Sequence, residues 1–204
     1  TDYGWTNKNN GVEIVDGSNI TIKNCTLFKN YIGINIYNTT DIDIENNLIN
    51  NTRRYVSEIW YSENISVFYN SFIYNTNPGG IYSRYSVSLF FCNNTYKRNE
   101  YGLILVGNTR ICVNRSAFIN NVWGIHVDQI NIGEICGNSF HGNSDCGIET
   151  GYLSNFIISE NNCTGNNLGI SISECIYNNL SVTHNNLSFN RLGIYNSGDN
   201  FNIT

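Results

Sequence analysis

Every 22 to 24 residues this chain returns to the same short phrase, a glycine followed by an aliphatic residue, and a period in that range is the signature of a solenoid. The phrase occurs as Gly11-Val12, Gly33-Ile34, Gly80-Ile81, Gly102-Leu103, Gly124-Ile125, Gly147-Ile148, Gly169-Ile170 and Gly193-Ile194, with one further copy near Ser57 to Ile59 that lacks the glycine. A unit this short buries its apolar face only by stacking on its neighbours, so the repeat settles the architecture before any local element is read. It also confines chemistry to columns of stacked surface residues.

After each phrase comes an apolar pair with one residue between its members, as in Ile20/Ile22, Ile42/Ile44, Ile65/Val67, Leu89/Phe91, Ile111/Val113, Phe156/Ile158 and Leu180/Val182. That alternation is the two-residue period of a strand with one buried face. Three residues on stands an asparagine column, Asn47, Asn70, Asn94, Asn138, Asn161 and Asn185, with Cys25 and Ser116 in the remaining copies. Two further on is an apolar column (Leu27, Ile49, Phe72, Tyr96, Phe118, Phe140, Cys163, Leu187). Three beyond that is a second asparagine column, Asn30, Asn75, Asn99, Asn121, Asn143, Asn166 and Asn190, with Thr52 as the exception. Asparagine tolerates the left-handed backbone of a turn, and its stacked amides satisfy one another, so both columns read as structural ladders. No stretch has the 3.6-residue period of a helix, and none approaches the apolar length of a membrane span. Irregular copies around Arg53 and at Asn77-Pro78-Gly79-Gly80 are the expected places for loops to leave the cylinder.

This pattern resembles the right-handed parallel β-helix family, in particular the Asn-rich repeats of carbohydrate-active β-helices and of periplasmic proteins of the NosD type. The resemblance runs from about Gly11 to Thr204. It implies an all-β, single-stranded, right-handed parallel β-helix of about eight rungs, with residues 1–10 as a lead-in and 11–204 as one domain. It leaves activity open, because the fold carries lyases, hydrolases, epimerases, adhesins and proteins without catalysis.

The charged fraction is 13% and the net charge −5, with no basic run, which argues against nucleic acid and anionic membranes as partners. Methionine is absent even at position 1, so the chain is expected to begin after processing or to be an excised piece. Sequons mark Asn19, Asn38, Asn50, Asn64, Asn114, Asn179, Asn186 and Asn202 as candidate glycosylation sites; three more, at Asn24, Asn93 and Asn162, lie near the ladder turns. The cysteines, Cys25, Cys92, Cys112, Cys136, Cys146, Cys163 and Cys175, show no Cys-X-X-Cys or zinc spacing and read as small buried hydrophobes. A copper site of the kind the NosD resemblance brings to mind wants clustered Met, Cys or His, whereas His126, His141 and His184 fall in three different columns. No cofactor and no metal are expected.

The best candidate site is the outward column of the Gly-Ile strands, read as Asn35, Trp60, Tyr82, Ile104, His126, Glu149, Ser171 and Tyr195. Trp60 and Tyr82 can stack on sugar rings, and His126 beside Glu149 can act as a general acid/base pair, with Asp128 as a second carboxylate. Against catalysis stands the absence of Arg or Lys from this column and of a clear set of clustered carboxylates. The main expectation is therefore a non-enzymatic structural or recognition β-helix at the cell exterior: an adhesin, sheath or filament subunit able to bind glycan. The alternative is a polysaccharide-active enzyme (lyase, glycoside hydrolase or epimerase) using this face. Neither end carries an evident cap, so self-association or contact with other subunits through the ends is expected.

Overall fold

The computed structural model describes residues 9–75, 78–173 and 179–197, and the backbone of 201–203. Among these residues there is no helix, and so none long and apolar enough to cross a membrane. The chain winds into a parallel β-solenoid with three sheets. The first has nine strands, from Val12–Val15 to Leu192–Asn196; the second nine, from Ser18–Lys23 to Phe201–Ile203; the third seven, from Thr26–Phe28 to Asn162–Thr164. Every pairing is parallel and in register with the sequence period: Ile34 lies between Val12 and Ser57, and His126 between Ile104 and Glu149.

The core follows from the alternation. Ile42, Ile65, Leu89 and Ile111 form one inward column of the second sheet, and Ile44, Val67, Phe91 and Val113 the other; all are at most 1% exposed. In the third sheet the inward rings stack along the axis, Tyr96 on Phe118 at 4.6 Å and Phe118 on Phe140 at 4.7 Å between centroids. Gly133 interrupts the second sheet's inward column because Phe156 and Ile111 fill its place; a β-carbon there would meet the Phe156 ring at 2.5 Å and Ile111 Cγ1 at 2.7 Å.

Both asparagine columns are ladders. In the first, the Asn47 N–H donates to Asn70 Oδ1 at 2.8 Å, Asn70 to Asn94 at 2.9 Å, and Asn138 to Asn161 at 2.9 Å. Cys25 and Ser116 sit in this column as expected, Ser116 Oγ accepting from the Asn94 N–H at 3.1 Å. In the second, Thr52, Asn75, Asn99, Asn121, Asn143 and Asn166 each donate their N–H to the next rung's asparagine at 2.8 to 3.0 Å. A third, shorter ladder joins the first sheet to the second: Thr39 N–H to Ser62 Oγ at 3.2 Å, Ser62 to Ser86 at 3.1 Å, and Ser86 to Asn108 Oδ1 at 2.9 Å. Its mixed Thr, Ser and Asn composition hid it in the sequence.

The loop expected to leave the cylinder near Arg53 does not do so. The Arg53 and Arg54 N–H groups donate to the carbonyls of Asn30 and Tyr31, both at 2.9 Å, and Gly79 N–H to that of Arg54 at 2.9 Å, so these segments track the neighbouring rung. Residues 76–77, just before Pro78, lie outside the described residues. The cysteines at 25, 92, 112, 136, 146 and 163 are free, with Cys92 and Cys136 on either side of Asn114 in one column; Cys175 lies outside the described residues.

Candidate functional site

Parallel pairing in register turns a sequence interval of 23 into a contact. His126 and Glu149 are directly paired on adjacent strands of the first sheet, and His126 Nδ1 lies 2.9 Å from Glu149 Oε2. Both side chains are about one-third exposed (32% and 36%), open enough to meet a ligand and covered enough to be held. With Nδ1–H donating to the carboxylate, Nε2 is left as the ring's acceptor, and Glu149 sets both tautomer and ring orientation. Asp128 stands two residues beyond His126, in the next outward column, paired with Val106 and Gly151. Its carboxylate leans toward the following rung, Oδ1 lying 3.0 Å from the place of a β-carbon on Gly151.

Aromatic side chains flank the pair. Tyr101 and Trp123 stack at 4.5 Å, 10° from parallel, at the leading end of the strands carrying Ile104 and His126. Toward the N-terminal rungs, Tyr82 stacks on Tyr55 at 5.2 Å and meets Trp60 edge-on at 5.5 Å. Burial pushes the Tyr101 phenol above its ordinary value, with Glu149, Glu100 and Asp145 adding to the rise. The Tyr55 phenol is raised as well, chiefly by burial, partly offset by Arg54. Both therefore stay protonated at neutral pH and remain hydrogen-bond donors.

One column assignment needs correction. The residue paired with Asn35 and Tyr82 is Glu58; Trp60 stands in the next outward column, between Tyr37 and Arg84. In the rung without glycine, Val56 takes the glycine position and Ser57 the buried aliphatic one. The signal was present: Gly11, Gly33, Gly80, Gly102, Gly124 and Gly147 each precede the first inward position of the second sheet by nine residues, and nine before Ile65 is Val56. Trp60 still reaches the track through its contact with Tyr82. Glu58 adds a carboxylate to it, paired with Arg54 at 3.1 Å. Tyr55, Tyr101 and Trp123, which the sequence reading did not pick out, belong to the same face.

The remaining candidates are dispersed. His141 lies on the third sheet, Nδ1 3.3 Å from Thr164 Oγ1, and His184 lies at the end of the second sheet, beyond Thr183. Of the sequon asparagines, Asn19, Asn38, Asn64, Asn179 and Asn186 are exposed, Asn50 and Asn114 are half-buried, and Asn202 is described for its backbone alone.

The sequence model of the family described as "Periplasmic copper-binding protein (NosD)" matches residues 75–204, and that of the "Right handed beta helix region" matches residues 4–86. The chain belongs to the NosD family. Its fold is thus the right-handed parallel β-helix that the resemblance implies. No curated protein sequence matches the chain. Among solved structures, this NosD-family solenoid is similar to a double mutant of the periplasmic alginate epimerase AlgG, with TM-score 0.77 and 19% identity over 90% of this chain and 49% of that one. It is also similar to the A-module of the Azotobacter vinelandii mannuronan C-5 epimerase AlgE4, with TM-score 0.67 and 14% identity over 92% of this chain and 58% of that one. The chain spans about half the length of these structures. At such identities the likeness shows the fold.

The expectation of a non-enzymatic structural or recognition β-helix is corrected: the similar solved structures named above are polysaccharide-active enzymes, which favours the alternative reading. The family description also names copper. Among the described residues no three His, Cys, Asp or Glu side chains converge as ligands, the chain has no methionine, and Cys112 is engaged with Glu134 Oε1 at 3.0 Å. These residues do not fit a copper centre.

Proposed function

We propose that this NosD-family chain is a polysaccharide-active enzyme that lays a saccharide chain along the outward face of the first sheet and works by acid–base catalysis. The observation that carries the reading is the 2.9 Å contact between His126 and Glu149, half-open on a face flanked by the Tyr101–Trp123 and Tyr55–Tyr82 stacks. An imidazole oriented by a carboxylate is a competent proton acceptor, and its conjugate acid a competent donor. Aromatic rings a few rungs away supply apolar surface for sugar C–H groups and hold the polymer in register with the pair. That structures sharing the fold are alginate and mannuronan epimerases supports a polysaccharide as the substrate class.

We place this activity outside the cytoplasm, a reading supported by the periplasmic description of the family and of AlgG. The test is turnover by the purified chain on a panel of acidic and neutral polysaccharides, followed by reducing ends, unsaturated products and solvent-deuterium incorporation. Glu149→Gln is expected to lower turnover by about 100-fold or more while oligosaccharide binding persists. Turnover unchanged in Glu149→Gln, or none by the parent chain on any polymer, defeats the proposal.

A further inference from the structure

At the corner between the first and second sheets, two rungs differ from the rest. The strands Trp123–Ile130 and Cys146–Leu153, which carry His126 and Glu149, are eight residues long, whereas the other strands of that sheet have four to six. The cause lies in the sequence. Where other rungs place Thr39, Ser62, Ser86 and Asn108 in a hydrogen-bonded ladder, these two place Ile130 and Leu153. The two aliphatic residues pair with each other, are at most 1% exposed, and let the strands run on into the bend.

Strand alternation then decides which residues face outward. Gln129 and Asn131 stand on either side of the inward Ile130, and Tyr152 and Ser154 on either side of Leu153. These four residues line an open cleft of about 440 Å³, within the size range of small-ligand sites. Each of the two amides and the hydroxyl can both donate and accept a hydrogen bond. That matches the neighbouring hydroxyls of a sugar ring, which do the same. The Tyr152 ring, 37% exposed, offers apolar surface for the sugar's C–H groups.

The cleft is joined to the His126–Glu149 pair. Gln129 Nε2 donates to Asp128 Oδ2 at 3.3 Å, which ties one wall of the cleft to the residue two places beyond His126. On the neighbouring strand Glu149 and Tyr152 are three residues apart, at most about 10 Å between α-carbons by strand rise. Of the two residues between them, Thr150 is buried and Gly151 has no side chain, so this strand raises no wall between pair and cleft. Asp128 Oδ1 and Ser173 Oγ border the gap, 3.0 and 3.7 Å from the place of a β-carbon on Gly151.

Resting on the polysaccharide-active reading above, we infer that the corner cleft is a further saccharide-binding site, which takes a sugar unit next to the one at His126 and Glu149. Tyr152 packs against that unit's ring, and Gln129, Asn131 and Ser154 bond to its hydroxyls. A polymer is positioned for reaction when it is gripped on both sides of the reacting unit. The Tyr55–Tyr82 stack grips it from the N-terminal rungs, and the cleft grips it on the other side. The bound chain therefore leaves the first sheet over the corner beside Asp128.

The experiment uses the full chain carrying Glu149→Gln and hexasaccharides of a neutral glucan, an amino-polysaccharide and a uronan, with binding followed by titration calorimetry. Adding Tyr152→Gly, a replacement suited to the φ of +44° at this position, should weaken binding of the hexasaccharide whose polymer the parent chain turns over by about tenfold. Asn131→Ala should weaken it severalfold. A second measurement leaves the cleft unaltered. Nitration of Tyr152 by tetranitromethane in the Glu149→Gln chain, read by peptide mass spectrometry, should fall severalfold when that hexasaccharide saturates the protein. Equal nitration with and without the hexasaccharide, or affinity unaltered by Tyr152→Gly, overturns the inference and leaves the polysaccharide-active reading standing. Turnover of none of the three polymers by the parent chain overturns that reading, and the inference with it.

Discussion

A β-carbon on Gly102 would stand 2.4 Å from the carbonyl oxygen of Gly124 on the next rung, and 2.6 Å from Cδ1 of Phe118. At this rung a neighbouring backbone and a core ring converge on the corner and leave no room for a side chain, whereas in the rung without glycine Val56 holds the equivalent position. Gly102→Ala is expected to destabilise the solenoid by about 3 kcal/mol in urea unfolding, because backbone cannot give way as a flexible side chain can. Gly137 offers the contrasting case. Its φ is +65° and nothing lies within 4 Å of an added β-carbon, so Gly137→Ala should cost about 1 kcal/mol, through backbone strain alone. Equal costs at the two sites would refute the steric account.

Asn121 closes three bonds of the second ladder. Its Oδ1 accepts from the Asn99 N–H at 2.9 Å, and its Nδ2 donates to the Tyr96 carbonyl at 3.1 Å and to Asn143 Oδ1 at 3.2 Å. Asn121→Ala leaves a buried donor and a buried acceptor unpaired and should cost about 2–4 kcal/mol. Asn121→Ser should cost less, since Ser116 already shows that a hydroxyl accepts the ladder N–H, at 3.1 Å. Asn121→Asp should cost the most, because it removes both amide donors and buries a charge. Chemical denaturation of the three variants tests the order Ser, Ala, Asp.

Tyr96 is fully buried between Phe72 and Phe118, and among the described residues its hydroxyl has no hydrogen-bond partner. The ring contributes to the stack, whereas the oxygen is desolvated without compensation. Tyr96→Phe should therefore raise stability by about 1 kcal/mol, seen as a higher thermal midpoint; a lower midpoint would show that the hydroxyl is satisfied.

The fold was legible because stacking in register makes the sequence period a physical distance: residues 22 to 24 apart in the chain become neighbours across one strand spacing. The same relation exposed the His126–Glu149 pair before any geometry was known. It failed where the phase marker was lost. With Val56 and Ser57 in place of Gly-Ile, the spacing points to Trp60 for the column that Glu58 occupies. It also could not report side-chain direction. The lean of Asp128 toward Gly151 and the Tyr101–Trp123 stack arise from rotamers at adjacent rungs, which spacing alone does not encode. The Thr39–Ser62–Ser86–Asn108 ladder escaped notice because different residue types play one hydrogen-bonding role.

Tyr82 links the two aromatic partners of the upstream track, stacked on Tyr55 and edge-on to Trp60. If this cluster holds sugar rings, Tyr82→Ala in the Glu149→Gln background should weaken oligosaccharide binding by roughly tenfold, with little change in far-UV circular dichroism. Titration calorimetry checks it. Unaltered affinity would remove this cluster from the binding track and leave the Tyr101–Trp123 stack as its aromatic wall.

Cys163 replaces a core phenylalanine in the third sheet, paired with Phe140 and 0% exposed. Burial pushes its thiol up to about 12 from an ordinary 9.0. The unfolded chain loses this proton near pH 9 while the folded chain keeps it to about pH 12, so between those values the unfolded state binds fewer protons and stability falls as pH rises. The contribution approaches roughly 1.4 kcal/mol for each pH unit above 9. Tyr96, whose phenol is also raised by burial, adds a slope of the same sign only above its own ordinary value of 10.0. Unfolding curves at pH 8 and pH 10.5, under reductant, should show a smaller alkaline loss in Cys163→Ala than in the parent chain, by about 2 kcal/mol, even though the variant is less stable at both. Identical losses in the two proteins would mean that the thiol ionises in the folded state as readily as in the unfolded one. In the same window, iodoacetamide should leave Cys163 unmodified in the folded chain and label it on unfolding, because the thiolate is the nucleophile and burial suppresses it.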